Sequence, residues 1–391
     1  MPARRTLPLL LTLVLALTAG LAVAAGAGGS PPAADADPAG GTPAAAATGY
    51  LQARAAAVTS DDPAAVLAPW LAAGSRLAAS EALIAKGAAL RERRLGHLVD
   101  DVTCDVTVTA VSAAADGTTA TVVARAVTTT VWHASGGATT EASAVDHVVT
   151  LVRAGGRWLV AADSYSDDTV PACLEAAGAP PARVLGAARA LERRARAGGA
   201  VVVVTAAGGH PGAPAAGSKW LTMRRYRDTL SYDRAAAAAY ADRYALDYNP
   251  AYVRFSADCA NFASQCANAG GMPKTPGTGS DAWWYDRQGT AGTTDDTWSL
   301  SWVNVTAQMT AWNGRTTDRA TSAGSLSRGD FIYYDWSGDG RWDHVAVVVG
   351  TNSAGQKIID AHTTDHYHVY WKLGTSATRY RFAHTRAQWV V

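Results

Sequence analysis

Aromatic residues divide this chain of 391 residues into two unlike parts, because ten of its thirteen tryptophans lie beyond Lys219. Large aromatic side chains dominate the cores they enter. The C-terminal part therefore has a core of its own, and the alanine-rich part before it must build another from smaller groups. Length agrees, since single hydrophobic cores stop growing at about 250–300 residues. Two domains are expected.

The chain begins with Arg4 and Arg5, runs mostly apolar from Leu7 to Val23 and reaches the small-x-small site Ala22-Val23-Ala24. That layout predicts a signal peptide over residues 1–24 and a secreted, extracellular protein. The apolar run is at the lower limit for a membrane anchor and ends in alanine and glycine. Residues 25–47, rich in Ala, Gly and Pro, read as a flexible leader. Nothing later is long and apolar enough to span a bilayer. The net charge of +1 and the lack of a basic run beyond Arg189, Arg193, Arg194 and Arg196 exclude nucleic acid as a partner.

Residues 48–172 change period midway. Leu67, Leu71, Leu77, Leu83 and Leu90, broken at Pro63 and Gly74, predict two or three short helices. Val102, Cys104, Val106 and Val108 then alternate with polar residues, the period of a half-buried strand. Strands are expected over residues 119–133, 144–153 and 158–164, with turns at Asp116-Gly117, Gly136-Gly137 and Gly155-Gly156. Helices followed by a four-stranded meander make an α+β domain that resembles the cystatin-like or nuclear-transport-factor-like cone. Residues 173–224, with Pro180-Pro181 and Gly208-Gly209, read as a linker, although the run Val201 to Val204 could close either domain as a last strand.

The chemistry is expected in residues 225–391. A helix over residues 232–245, capped by Ser231, should precede strands over residues 330–334, 344–350, 357–362, 369–371 and 380–384. Cys259, Phe262, Ala263, Cys266 and Ala267 share one helical stripe, with the thiol in the first turn, where the helix terminus favours a thiolate. By itself this is also the pattern of a buried cysteine in a packed stripe. His344 opens the strand that follows Asp343, at a sheet rim. A lone histidine there proves nothing, because Asp146-His147-Val148-Val149 imitates it. Asp335-Trp336-Ser337-Gly338-Asp339-Gly340 imitates half a calcium loop, but Ala346 at its twelfth position excludes an EF-hand and leaves a hairpin turn that places His344. Trp283, Trp284, Tyr285 and Trp298 read as core rather than as a groove wall.

Together, Asp258-Cys259-Ala260-Asn261-Phe262-Ala263-Ser264-Gln265-Cys266 and the stretch from Gly329-Asp330-Phe331 through Asp335-Trp336 to Asp343-His344-Val345-Ala346 resemble an amidase domain family of secreted bacterial proteins. That family is similar to the papain-like group, alongside the CHAP and NlpC cell-wall hydrolases. The resemblance implies a helix bearing a nucleophilic Cys259, packed on an antiparallel sheet bearing the base His344. A third polar residue on the next strand is implied to be His362, with Asp360 as the alternative. An oxyanion hole would use the Cys259 N–H and one more donor from Asn261, Asn249 or Tyr248, while Asn261 and Asp258 could equally support the helix start.

The implied activity is a cysteine amidohydrolase or peptidase acting on peptidoglycan peptides at the cell wall, with no cofactor and no metal. The alternative is an inert cell-surface binding module on the same fold. Cys259 and Cys266 cannot bridge within one helix, because seven residues rise about 10.5 Å. An oxidising compartment would then bridge Cys104 and Cys173, unless Cys104 is a free buried thiol.

Overall fold

Thr42 accepts a hydrogen bond from Ala45 N, and Pro43 supplies the fixed φ of a first helical turn, so α1 (Pro43–Ala56) starts inside the stretch expected to be leader. Asp62 and Pro63 repeat the device at α2 (Pro63–Leu67). The computed structural model describes residues 41–200, 229–287 and 292–390. The signal peptide, most of the leader and the Val201 to Val204 run lie outside these. No helix among the described residues is long and apolar enough to cross a membrane.

After α3 (Leu77–Leu95), which stops at Gly96 in a left-handed turn, the expected meander follows as β1 (Leu98–Ala113), β2 (Thr119–Ala134), β3 (Gly137–Ala154) and β4 (Arg157–Ser164). The linker stretch contains α4 (Val170–Ala176) and α5 (Pro181–Ala200). The C-terminal part opens with β5 (Thr229–Ser231), α6 (Arg234–Tyr244) and α7 (Cys259–Ala269). Asp233 caps α6 by accepting from Ala236 N at 2.9 Å, whereas Ser231, expected there, sits in β5. A short hairpin of β6 (Tyr285–Asp286) and β7 (Thr297–Trp298) leads to α8 (Leu300–Val303) and α9 (Val305–Trp312). Strands β8 (Thr317–Ala320), β9 (Phe331–Asp335), β10 (His344–Thr351), β11 (Lys357–Ala361), β12 (Asp365–Tyr370), β13 (Arg379–Thr385) and β14 (Gln388–Val390) complete the chain.

The architecture is mixed α+β with antiparallel sheets. Ten strands form one sheet in the order β1-β2-β3-β12-β11-β10-β9-β13-β8, with β4 also on β3. The join between the two parts is β3 with β12, where Ala144, Ser143 and Ala142 face Asp365, His366 and Tyr367. β3 starts at Gly137, earlier than its alternation suggested, and two of the three residues that pair, Ala142 and Ser143, are among those added. An ion pair from Arg125 to Asp365 at 2.5 Å reinforces the join.

The separate cores implied by the aromatic distribution are present. One packs α1 and α2 on β2 to β4 through Tyr50, Leu67, Val122 and Leu151. Another packs α7 on the sheet through Phe262, Val345 and Val347, with Trp283, Trp302 and Trp312 buried around it. The opposite face of β10 carries Ala346 and Val348 into a third cluster with Ile332, Tyr334 and Ala188 of α5. Trp283, Trp284 and Tyr285 are core, as expected.

All four cysteines are free thiols, which corrects the bridge expected between Cys104 and Cys173. Cys104 packs against the first core from β1. Cys173 is held in α4, so close to α3 that a Cβ on Gly87 would lie 1.8 Å from the Cys173 carbonyl oxygen.

Candidate active site

The stripe Cys259, Phe262, Ala263, Cys266 and Ala267 lies on α7 as its spacing required, and all five residues are buried. Cys259 is the first helical residue. Asp258 precedes it without capping the helix by its own side chain; the cap comes from Thr363, in the turn between β11 and β12. Its Oγ1 accepts from Asp258 N at 3.0 Å and Cys259 N at 3.3 Å. Thr363 has φ of 93°, a left-handed conformation that a β-branched residue adopts only where its surroundings enforce it. Neither its hydroxyl nor its strain was foreseen from sequence.

His344 opens β10 opposite Tyr334, behind a tight turn. The Asp335 carboxylate accepts from the backbone N–H groups of Gly338, Asp339 and Gly340, so the calcium-like segment is a hairpin that closes on itself. Trp336 and Tyr334 flank the imidazole at ring separations of 5.4 and 5.3 Å. The structure brings Cys259 and His344 to the wall of one small cavity of about 20 Å³, together with Asp168, Asp343 and Thr363. No hydrogen bond joins sulfur to imidazole. A wider cavity of about 200 Å³ also borders Cys259 and is lined by Asn304, Thr306, Arg341 and Trp342. Helix α5 borders both spaces, through Leu191 and Arg194 at the smaller one and Arg196 at the larger. An Arg196 to Asp339 ion pair at 2.9 Å ties the helix to the β9–β10 turn.

Burial sets the protonation of the pair. It pushes the Cys259 thiol up to about 11, against hydrogen bonds from the Val345 N–H and the Thr363 hydroxyl. Burial also drives His344 down to about 4, against the nearby charge of Asp168. The thiolate expected from the helix terminus is thus outweighed by desolvation in this closed arrangement. Asp343, which lines both cavities, is raised to about 7 by its own burial.

The residues expected to complete the set lie elsewhere. His362 Nδ1 donates to Asp258 Oδ2 at 2.7 Å and its Nε2 to the Tyr244 carbonyl at 2.7 Å, so both ring nitrogens are used away from His344. Asp360 pairs in register with Val347, on the α7 side of the sheet, whereas His344 shares the other face with Ala346. Asn261 supports the helix start by donating to Val253 O and Asp258 Oδ1 and accepting from Trp302 Nε1, which leaves it no free donor. Asn249 donates to Tyr240, and Tyr248 to Asp365.

What faces His344 is Asp168, from the loop between β4 and α4. His344 Nε2 and Asp168 Oδ2 lie 3.9 Å apart, and both are buried atoms without a hydrogen-bond partner. The other carboxylate oxygen of Asp168 accepts from His366 Nε2 at 2.6 Å, and His366 Nδ1 meets Ser143 Oγ of β3 at 2.8 Å. Burial would raise the Asp168 carboxyl, yet the charge and hydrogen bond of His366 hold it below the usual range. No motif marks Asp168, because tertiary contacts far apart in sequence, with Thr364 and His366 of the C-terminal part, are what place it there.

Residues 231–385 match the family described as "Putative amidase domain". This supports hydrolase chemistry in the segment that holds Cys259 and His344. The chain is also 37% identical over 166 residues to the uncharacterized protein YhbB of Bacillus subtilis (strain 168), a match that covers 40% of this chain and 50% of that protein. The chain thus spans about half the length of this curated relative. Among solved structures, the intermembrane space region of the chloroplast protein ARC6 aligns at 18% identity and a TM-score of 0.24, over 31% of this chain and 90% of that one, a likeness too slight to bear on the fold.

Proposed function

We propose that this is a secreted cysteine amidohydrolase or peptidase of papain-like arrangement, cleaving amide bonds in peptidoglycan peptides. The observation that carries the reading is the convergence of Cys259, at the start of α7, and His344, at the start of β10, on one cavity inside the amidase-like segment. His344 takes the thiol proton, and sulfur adds to the substrate carbonyl carbon. The carbon–nitrogen bond then breaks as His344 returns the proton to the leaving amine. Water, deprotonated by the same imidazole, hydrolyses the thioester and regenerates the thiol. The wider cavity beside Cys259 is the place for the substrate chain. The N-terminal part, with helices packed on a four-stranded meander, fits a cystatin-like or nuclear-transport-factor-like accessory unit.

Asp168 acts as the positioning residue in place of His362 or Asp360. Closing the 3.9 Å gap by about 1 Å would let its free oxygen accept from His344 Nε2, leaving Nδ1 for the sulfur. Asp168→Asn, which keeps the shape and removes the charge, is expected to lower kcat about 10²- to 10⁴-fold with KM unchanged. Steady-state kinetics on a released peptide amide measures the split, and an unchanged kcat would remove Asp168 from the machinery.

The activity itself is tested by digesting purified cell walls with the wild type and with Cys259→Ala, followed by mass analysis of the fragments. New peptide termini should appear with the wild type alone, and equal release by both proteins would reject the nucleophile. The closed, neutral pair favours a second reading, an inert surface-binding module. That reading expects wall binding by both proteins and fragments from neither.

A further inference from the structure

On the face of the sheet turned away from His344, Asp242 of α6, Asp360 of β11 and His368 of β12 converge, with one ligating atom from each lying within 4.8 Å of the others. Asp360 is 0% exposed. One of its oxygens accepts from His368 N at 2.7 Å, and the other, Oδ2, is buried with no hydrogen-bond partner. A second carboxylate, Asp242, stands beside it and accepts from His368 Nε2 at 2.8 Å. The Tyr367 ring stacks on the His368 imidazole at 3.8 Å and fixes its orientation.

A buried carboxylate oxygen left unpaired next to another carboxylate is costly unless a proton or a cation comes between them. We propose that these three side chains bind a divalent first-row cation of the zinc type. Donors around such an ion sit about 2.0–2.2 Å from it, so neighbouring donors are about 3–4 Å apart, compatible with the observed cluster after small side-chain shifts. Asp242 and His368 are partly exposed, which provides an entry path and leaves the remaining coordination position for water. An imidazole in the set favours zinc over calcium, magnesium and manganese, which suit oxygen donors, so manganese should bind more weakly than zinc.

The ion would tie α6 to β11 and β12. The turn between those strands carries Thr363, which caps the Cys259 helix, so the ion would brace the thiol from behind without touching it. The site lies apart from the proposed thiol chemistry and does not depend on it.

The test uses the full chain, stripped with chelator and dialysed, then titrated with ZnCl₂ and separately with MnCl₂ by calorimetry, with elemental analysis after gel filtration. One ion per chain is expected. His368→Gln and Asp360→Asn should each weaken binding at least tenfold. Cys259→Ala should bind like the wild type. Circular dichroism of the metal-free variants checks that both ligand substitutions stay folded, and Asp242→Asn, at an exposed position, serves if either does not. Failure of the wild type to retain an ion would overturn the proposal. So would affinity that ignores the ligand substitutions, or affinity lost with Cys259→Ala, which would place the metal at the thiol.

Discussion

Cys259→Ala and His344→Ala are each expected to lower the rate of amide hydrolysis on the order of 10⁴- to 10⁶-fold, and the double variant should lose no more than the worse of the two. A nucleophile and its base act as one unit, so removing either forfeits nearly the whole covalent route. The geometry gives this expectation its content. Sulfur and imidazole line the same small cavity, and Asp168, which lines it too, has an unused oxygen 3.9 Å from His344 Nε2. In the closed site both groups are neutral at pH 7, because burial raises the thiol to about 11 and lowers the imidazole to about 4. Proton transfer then needs the site to open or a substrate to supply polar partners, and α5 borders both cavities, as does Cys259 itself. Progress curves on a chromogenic peptide amide measure the three variants. Losses that multiply in the double variant would mean that the two residues act independently and would overturn the pairing.

Much of the fold could be read from local pattern, since alternation placed β1, β2, β4 and β10 and the stripe from Cys259 placed α7. The elements that were mislaid are those whose ends depend on tertiary pairing. Residues 137–143 of β3 carry few large apolar groups, and they are strand because β2 and β12 pair with them. For the same reason β12 begins at Asp365, although its apolar signal starts only near Val369.

The site shows the same division. Cys259 and His344 each occupy an element start that periodicity could locate. The residue facing His344 across the ring comes from another part of the chain, joined through a sheet edge that no local pattern encodes. His362 was expected to orient the base because the family resemblance implies a histidine on the next strand, and it does sit beside the Cys259 helix, stacked on Phe262. Its partner, however, is Asp258, the carboxylate immediately before Cys259. Asn261 was legible only in its supporting role, since burial of its whole amide among Val253, Asp258 and Trp302 is a consequence of packing.

The pairing of His362 with Asp258 makes Asp258→Ala the largest expected loss of stability, about 3–5 kcal/mol, because removing one member of a buried pair strands the other. Both ring nitrogens of His362 face acceptors, the Asp258 carboxylate and the Tyr244 carbonyl, and a ring that donates from both nitrogens is an imidazolium. Burial would lower its pKa, yet the hydrogen bond and charge of Asp258 hold it above 6.5. The same carboxylate accepts from Phe255 N and Asn261 Nδ2, so the substitution also loosens the turn that leads into α7. A histidine whose folded pKa is raised contributes stability that is fully present below its unfolded value of about 6.5 and is lost as pH rises through the folded value. The cost of Asp258→Ala should therefore be greatest near pH 6 and smaller near pH 9, where His362 can be neutral in both proteins. Urea unfolding of wild type and variant at the two pH values measures the difference. An equal cost at both would show that the stabilisation comes from the Phe255 and Asn261 hydrogen bonds alone, with no charge on His362.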